Sequence, residues 1–158
     1  MASTRSTRTR GFSLLELVIA VTILVIIAAI GIPRLSRGTR SAADSALGSS
    51  LALLRNAIDL YAAEHVDTYP SEASVNEQLT QYSDRAGNVH ATKNYTYIYG
   101  PYVRNIPPLP VGARKGCTAI AVADANDVGW IYDEDTGSIR ANTTADEEDE
   151  TGKLYSTY

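Results

Sequence analysis

The chain has 158 residues, 44% hydrophobic and 20% charged, an ordinary composition for one folded domain and too little chain for two sizeable ones. Its formal charge of −4 argues against nucleic acid as a main partner, because an acidic surface repels a phosphate backbone. The single cysteine, Cys117, excludes an intrachain disulfide and a cysteine-based zinc cluster, and reads as a buried structural thiol.

In chain order, the first eleven residues carry Arg5, Arg8 and Arg10 and no acid. Phe12–Ile32 is then an aliphatic run broken only by Ser13, Glu16, Thr22 and Gly31. As a helix it would be about 31 Å long, the thickness of a bilayer's hydrocarbon core. A basic start before an apolar run also describes a secretory signal peptide. Against that, the run exceeds the usual apolar stretch of about 7–15 residues, Ala28-Ala29-Ile30-Gly31-Ile32-Pro33 offers no clean small-x-small cleavage site, and helical periodicity resumes beyond it. Arg5, Arg8 and Arg10 on one side face Arg34, Arg37 and Arg40 on the other, so basic residues leave the orientation open. Glu16 is the residue a plain anchor would lack, since a carboxylate in the bilayer interior costs at least about 2.5–3.5 kcal/mol.

The stretch Gly11-Phe12-Ser13-Leu14-Leu15-Glu16-Leu17-Val18-Ile19-Ala20 resembles the cleavage and methylation motif of type IV prepilins and type II secretion pseudopilins. The resemblance implies a leader over 1–11, scission by a membrane prepilin peptidase between Gly11 and Phe12, N-methylation of Phe12, an assembly role for Glu16, and a helix kink at Pro33. Loss of the three leader arginines would take the net charge from −4 to −7. The chemistry is coherent: cleavage creates an amine in or near the apolar layer, and a nearby carboxylate neutralises it. Within one helix Phe12 and Glu16 are a turn apart; a pair with the amine of the next subunit would instead set the axial register of a filament. The resemblance favours the pair between subunits.

Past Pro33, apolar or small residues recur at Ala43, Leu47, Leu51, Leu54, Ile58 and Tyr61, which is helical spacing. One helix is expected from about Ser13 to His65: a transmembrane or filament-core half over 12–33 and an amphipathic half over 34–66, with Arg40, Asp44, Arg55, Asp59 and Glu64 as its solvated face. The head, 67–142, opens with a loop and a short helix in which Ser74 and Glu77 have capping-box spacing. Tyr95–Tyr99, Cys117–Val122, Gly129–Tyr132 and Ser138–Ala141 are β-prone runs, and Asp133-Glu134-Asp135-Thr136-Gly137 joins the last two as a hairpin. Trp130 is expected in the core. Gly100-Pro101-Tyr102 and Ile106–Pro110 read as loop. The remaining residues, 143–158, contain Asp146–Glu150 and read as a mobile acidic tail.

The fold class is therefore α+β: a long N-terminal helix, its second half packed on a small antiparallel sheet, which is also the pilin-like arrangement the resemblance implies. No catalytic residues emerge. His65 and His90 lack metal-ligand spacing, and no serine sits in a nucleophile elbow. Asp124, Asp127, Asp133 and Asp135 lie on loops flanking Trp130 and could together hold calcium, although Val128 spoils an EF-hand register. No other cofactor is expected. The resemblance implies a structural subunit, not an enzyme, single-pass in the bacterial cytoplasmic membrane with its head in the periplasm or outside, and then in a helical filament. Its partners would be copies of itself, minor pilins or pseudopilins, the prepilin peptidase and a membrane assembly platform. The lone Cys117 cannot close the C-terminal disulfide loop of many type IVa pilins, which favours a pseudopilus. The rival reading is a pilin-like surface-binding module for adhesion or DNA uptake.

Overall fold

A computed structural model of the chain describes the backbone of residues 12–158, and the side chains of that span apart from 30–37. It divides into two units, one ending at Thr39 and one running from Arg40 to Tyr158. Helix α1, Leu14–Glu64, runs through the boundary and matches the predicted extent within a residue at each end. Val66 and Asp67 end it, with φ of 60° and 58°. Two successive left-handed residues turn the chain out of the helix, and the Asp67 amide closes back on the Ala62 carbonyl at 2.9 Å.

In the second unit the predicted stripe is buried: Leu47, Leu51, Leu54, Ile58 and Tyr61 are each at most 2% exposed. They share one core with Trp130, Tyr132, Ile139 and Ala141, and with Val75 and Leu79. The last two belong to α2, Val75–Thr80, which follows a 3-10 turn over Glu72–Ser74. Trp130 is fully buried, and its indole N–H donates to the Pro107 carbonyl at 2.9 Å. That bond satisfies a polar atom whose burial would otherwise cost about 1–3 kcal/mol.

The strands are β1 (Tyr82–Ser83), β2 (Val89–His90), β3 (Ala119–Ala121), β4 (Val128–Asp133) and β5 (Ser138–Ala141). β1 and β2 form a small antiparallel pair. The larger sheet has the order β3-β4-β5. β4 and β5 make the predicted hairpin, in register from Trp130↔Ala141 to Asp133↔Ser138. β3 corrects the all-antiparallel expectation, since it runs parallel to β4. With only three residues in β3, the short return 122–127 is long enough to bring the chain back to the start of β4. The Asn76 carboxamide brackets Ile120, accepting from its N–H and donating to its C=O, both at 3.1 Å. It thereby occupies the free edge of β3, where another strand would otherwise pair.

Four further expectations need correcting. Tyr95–Tyr99 is loop, joined to the fold through the Ser83–Tyr99 bridge, because the Asn94 carboxamide oxygen accepts the Thr96 and Tyr97 amides at 2.8 and 3.0 Å. An Asx turn of this kind takes the donors that a ladder would need. Ser74 occupies the N-cap of α2 but makes no side-chain cap bond; Gln78 instead accepts from the Ser71 amide at 2.8 Å and donates to the Gly87 carbonyl at 2.9 Å. The acidic segment 143–158 docks on the head, with Tyr155 buried and Glu148 bridging Leu154. Finally, three members of the supposed solvated face hold tertiary contacts: Asp44 accepts from the Tyr155 hydroxyl at 2.6 Å, Glu64 from the Tyr102 hydroxyl at 2.6 Å, and Arg55 donates to the carbonyls of Ile139 and Tyr158 at 3.2 and 2.5 Å.

Two glycines separate backbone freedom from close packing. A Cβ on Gly48, within α1, meets nothing within 4 Å, whereas one on Gly129 would run into the Cys117 carbonyl. Gly48→Ala is expected to raise head stability by about 0.5–1 kcal/mol. Gly129→Ala is expected to lower it by about 1–3 kcal/mol. Thermal melts of the detergent-solubilised chain check both, and equal melting points for the two variants would contradict this packing.

Candidate functional site

The first described turn of α1 leaves its apolar side chains uncovered. Phe12 is 78% exposed, Leu14 80%, Leu15 67% and Leu17 58%, and Val18 to Ile27 continue the same surface. Thr22 does not interrupt it, because its hydroxyl donates to the Val18 carbonyl at 2.7 Å and so needs no outside partner. Glu16 stands in this surface, bordered by Ser13, Leu15, Ile19, Ala20 and Ile23. It is the only ionisable side chain from Phe12 to Ala29. Gly11 lies outside the described residues, as does the side chain of Pro33, around which the helical backbone continues. Among the described residues no helix is long and apolar enough to cross a membrane; the predicted span 12–33 ends in residues whose side chains are outside that set.

Of the four acids considered for calcium, Asp124 and Asp133 are engaged by protein donors. Among the described residues, no group of three or more His, Cys, Asp or Glu side chains is arranged to hold a metal. Asp124 instead takes the Arg114 guanidinium as a fork, Nε and Nη2 each 3.1 Å from a carboxylate oxygen, while Nη1 donates to Asn126 Oδ1 at 3.0 Å. Asn142 adds a donor to Asp124 at 2.8 Å and ties the same loop to the Val128 carbonyl at 2.8 Å. Arg114 and Asn142 thus place a fixed cation and an amide at this loop. Asp133 accepts from the Asp135 amide at 3.0 Å within its own turn. Sequence reading missed Arg114 and Asn142, ten and eighteen residues from Asp124, because no local spacing signals such a pairing.

Residues 6–32 match the prokaryotic N-terminal methylation motif. No solved structure matches the chain. The chain is 31% identical over 106 residues to the type II secretion system core protein G of Klebsiella pneumoniae, covering 67% of this chain and 71% of that one. The chain belongs to the type II secretion system core protein G family. With the methylation motif, membership makes it a structural subunit of the type II secretion and type IV pilus kind.

In this core protein G family member, His65, Ser83 and Cys117 serve the fold. His65 and Ser83 approach within 3.1 Å, but they are 3% and 0% exposed and so are closed to a substrate. The His65 ring stacks on Tyr61 with centroids 3.8 Å apart and places its nitrogens 2.8 and 2.9 Å from the Tyr61 and Asp84 carbonyls, tying the end of α1 to β1. Cys117 is half-buried, its thiol donating to the Asn126 carbonyl at 3.4 Å.

The acids of the C-terminal segment act as turn acceptors. Glu147 takes the Ala113 and Thr144 amides at 2.6 and 2.8 Å. Asp149 takes the Thr151 and Lys153 amides, at 2.7 and 2.9 Å, and the Tyr158 hydroxyl. That hydroxyl, followed by Thr151, holds the Asp149 carboxyl well below the ordinary carboxylate range, and the same bond pushes Tyr158 up to about 12. The Arg114 fork, followed by Asn142, lowers Asp124, and the Asn88 amide lowers Asp84.

These three carboxyls have folded pKa values below their unfolded ones, so their contribution is fully present above the unfolded value, about 4, and is lost as pH falls through the folded values. The melting temperature should therefore hold from neutrality down to about pH 5 and drop below about pH 4. In Asp149→Asn the acid-side drop should be shallower; an unchanged profile would contradict the role given to Asp149. Arg114→Ala should destabilise the 122–128 loop, read as faster amide exchange at Asn126 and Val128 than in the parent.

Proposed function

We propose that this chain is the repeating subunit of a type II secretion pseudopilus, held in the cytoplasmic membrane by the N-terminal part of α1 and assembled through that same surface. The observation that carries the reading is the uncovered apolar face from Phe12 to Ile27 with Glu16 set into it. An apolar surface of this extent is unstable in water and calls for lipid or the same helix of other copies. Processing after Gly11 and methylation of the new amine at Phe12 would make the subunit competent. The Glu16 carboxylate then neutralises the amine of an adjacent copy, and this pairing sets the axial step of the filament.

The relative from Klebsiella pneumoniae favours secretion over a long surface fibre, as does the single cysteine. In this reading the head lies on the far side of the membrane, copies of the chain and minor pseudopilins flank it, and a prepilin peptidase and a membrane assembly platform act on it. An adhesion or DNA-uptake role has no specific observation in its favour.

Replacing Glu16 tests the pairing. Glu16→Gln keeps the shape and removes the charge, so the variant should be made, processed and membrane-bound at the parent level. Its sheared filament yield should fall at least about tenfold, the equivalent of 1.4 kcal/mol per contact. A parental yield would remove the assembly role of Glu16.

A further inference from the structure

The chain contains the three-residue pattern Asn-x-Thr twice, at Asn94-Tyr95-Thr96 and at Asn142-Thr143-Thr144. That pattern, with x other than proline, is the acceptor signature for transfer of a glycan to an asparagine amide. The fold treats the two copies in opposite ways. Asn142 is 6% exposed, and its Nδ2 already donates to Asp124 and to the Val128 carbonyl, both at 2.8 Å. That nitrogen is inaccessible and its hydrogens are spent.

Asn94, Tyr95 and Thr96 are all exposed, with Tyr95 fully so, in the loop that replaces the expected strand. The Asn94 oxygen accepts the Thr96 and Tyr97 amides, which turns the carboxamide so that the oxygen is engaged by the chain while Nδ2 has no partner among the described residues. The Thr96 hydroxyl is likewise unengaged among them, leaving both groups available to an enzyme. His90 stacks on Tyr97 with centroids 5.0 Å apart, which fixes the base of the loop behind the acceptor.

The geometry points to Asn94 as an N-glycosylation site, with a sugar carried on a polyprenyl phosphate or pyrophosphate as the donor class. Asn94 Nδ2 attacks the anomeric carbon, a C–N bond forms, and the bond from that carbon to the phosphate oxygen breaks. The electron pair leaves with the lipid phosphate, and the nitrogen gives up one proton to solvent or to a base of the transferase. No oxidant or reductant is required. The inference rests on the export of the head proposed above, because sugar transfer from a lipid carrier happens on the far side of the membrane.

Intact mass and peptide mapping of the full chain taken from its native membrane test it. A sugar increment on the Asn94 peptide is expected, lost in Asn94→Gln and in Thr96→Ala, and retained in Thr96→Ser and Thr144→Ala. A chain beginning at Phe12 with unmodified Asn94 would overturn the glycosylation site while leaving the pseudopilus reading intact. Acceptor competence is read apart from export by incubating the purified full chain with a sequon-reading transferase and a polyprenyl-pyrophosphate-linked oligosaccharide. Occupancy at Asn94 with Asn142 untouched supports the site; an unmodified Asn94, or transfer to Asn142 instead, overturns it.

Discussion

An apolar helix face must be covered, and α1 meets that constraint in two ways along one continuous backbone. From Leu47 to Tyr61 the cover comes from the chain itself: Trp130, Tyr132, Ile139 and Ala141 from the sheet, Val75 and Leu79 from α2. Burying side chains of this size contributes about 1.5–3 kcal/mol each, which is why a head with such short strands holds together. From Phe12 to Ile27 the described chain supplies no cover. One half of the hydrophobic pattern thus builds a domain, and the other half stays exposed on the described chain, the face that the pseudopilus proposal gives to lipid or to other subunits.

Carboxylates do much of the remaining structural work, and they do it by accepting hydrogen bonds more than by pairing with cations. Asp44 and Glu64 on α1 hold tyrosine hydroxyls from the C-terminal segment and from the loop after β2. Asp84 and Asp149 close turns by accepting backbone amides, and Asp124 is shared between Arg114 and Asn142. The acidity of the chain is therefore partly an internal resource. Most of these acids sit on loops or at the helix surface, so the structure keeps its net negative charge facing solvent.

What could be read from the sequence was whatever depends on periodicity or on a short motif. The i, i+4, i+7 spacing from Leu47 marked the buried face of α1, the Asp133–Gly137 turn marked the β4–β5 hairpin, and Gly11 to Ala20 marked the family. What could not be read was whatever depends on partners far apart in the chain. Tyr95, Tyr97 and Tyr99 have strand composition, but one carboxamide at Asn94 captures the amides a ladder would need. Asp146–Glu150 looks like a self-repelling tail until Tyr155 inserts into the core and Asp149 finds its turn. The Arg114 fork on Asp124 and the Asn76 bracket on Ile120 depend on approach in space and leave no trace in local spacing.

Assembly as proposed requires that α1 begin its working life as a new N-terminus in the membrane. The most direct measurement is N-terminal sequencing with intact mass of the chain from the membrane fraction of its own cells. A chain starting at Phe12 and heavier by one methyl group at the amine is the predicted result. A chain that starts at Met1, or one cut after Ala29 with the apolar segment gone, would contradict it, since the surface proposed for assembly would then be unprocessed or absent.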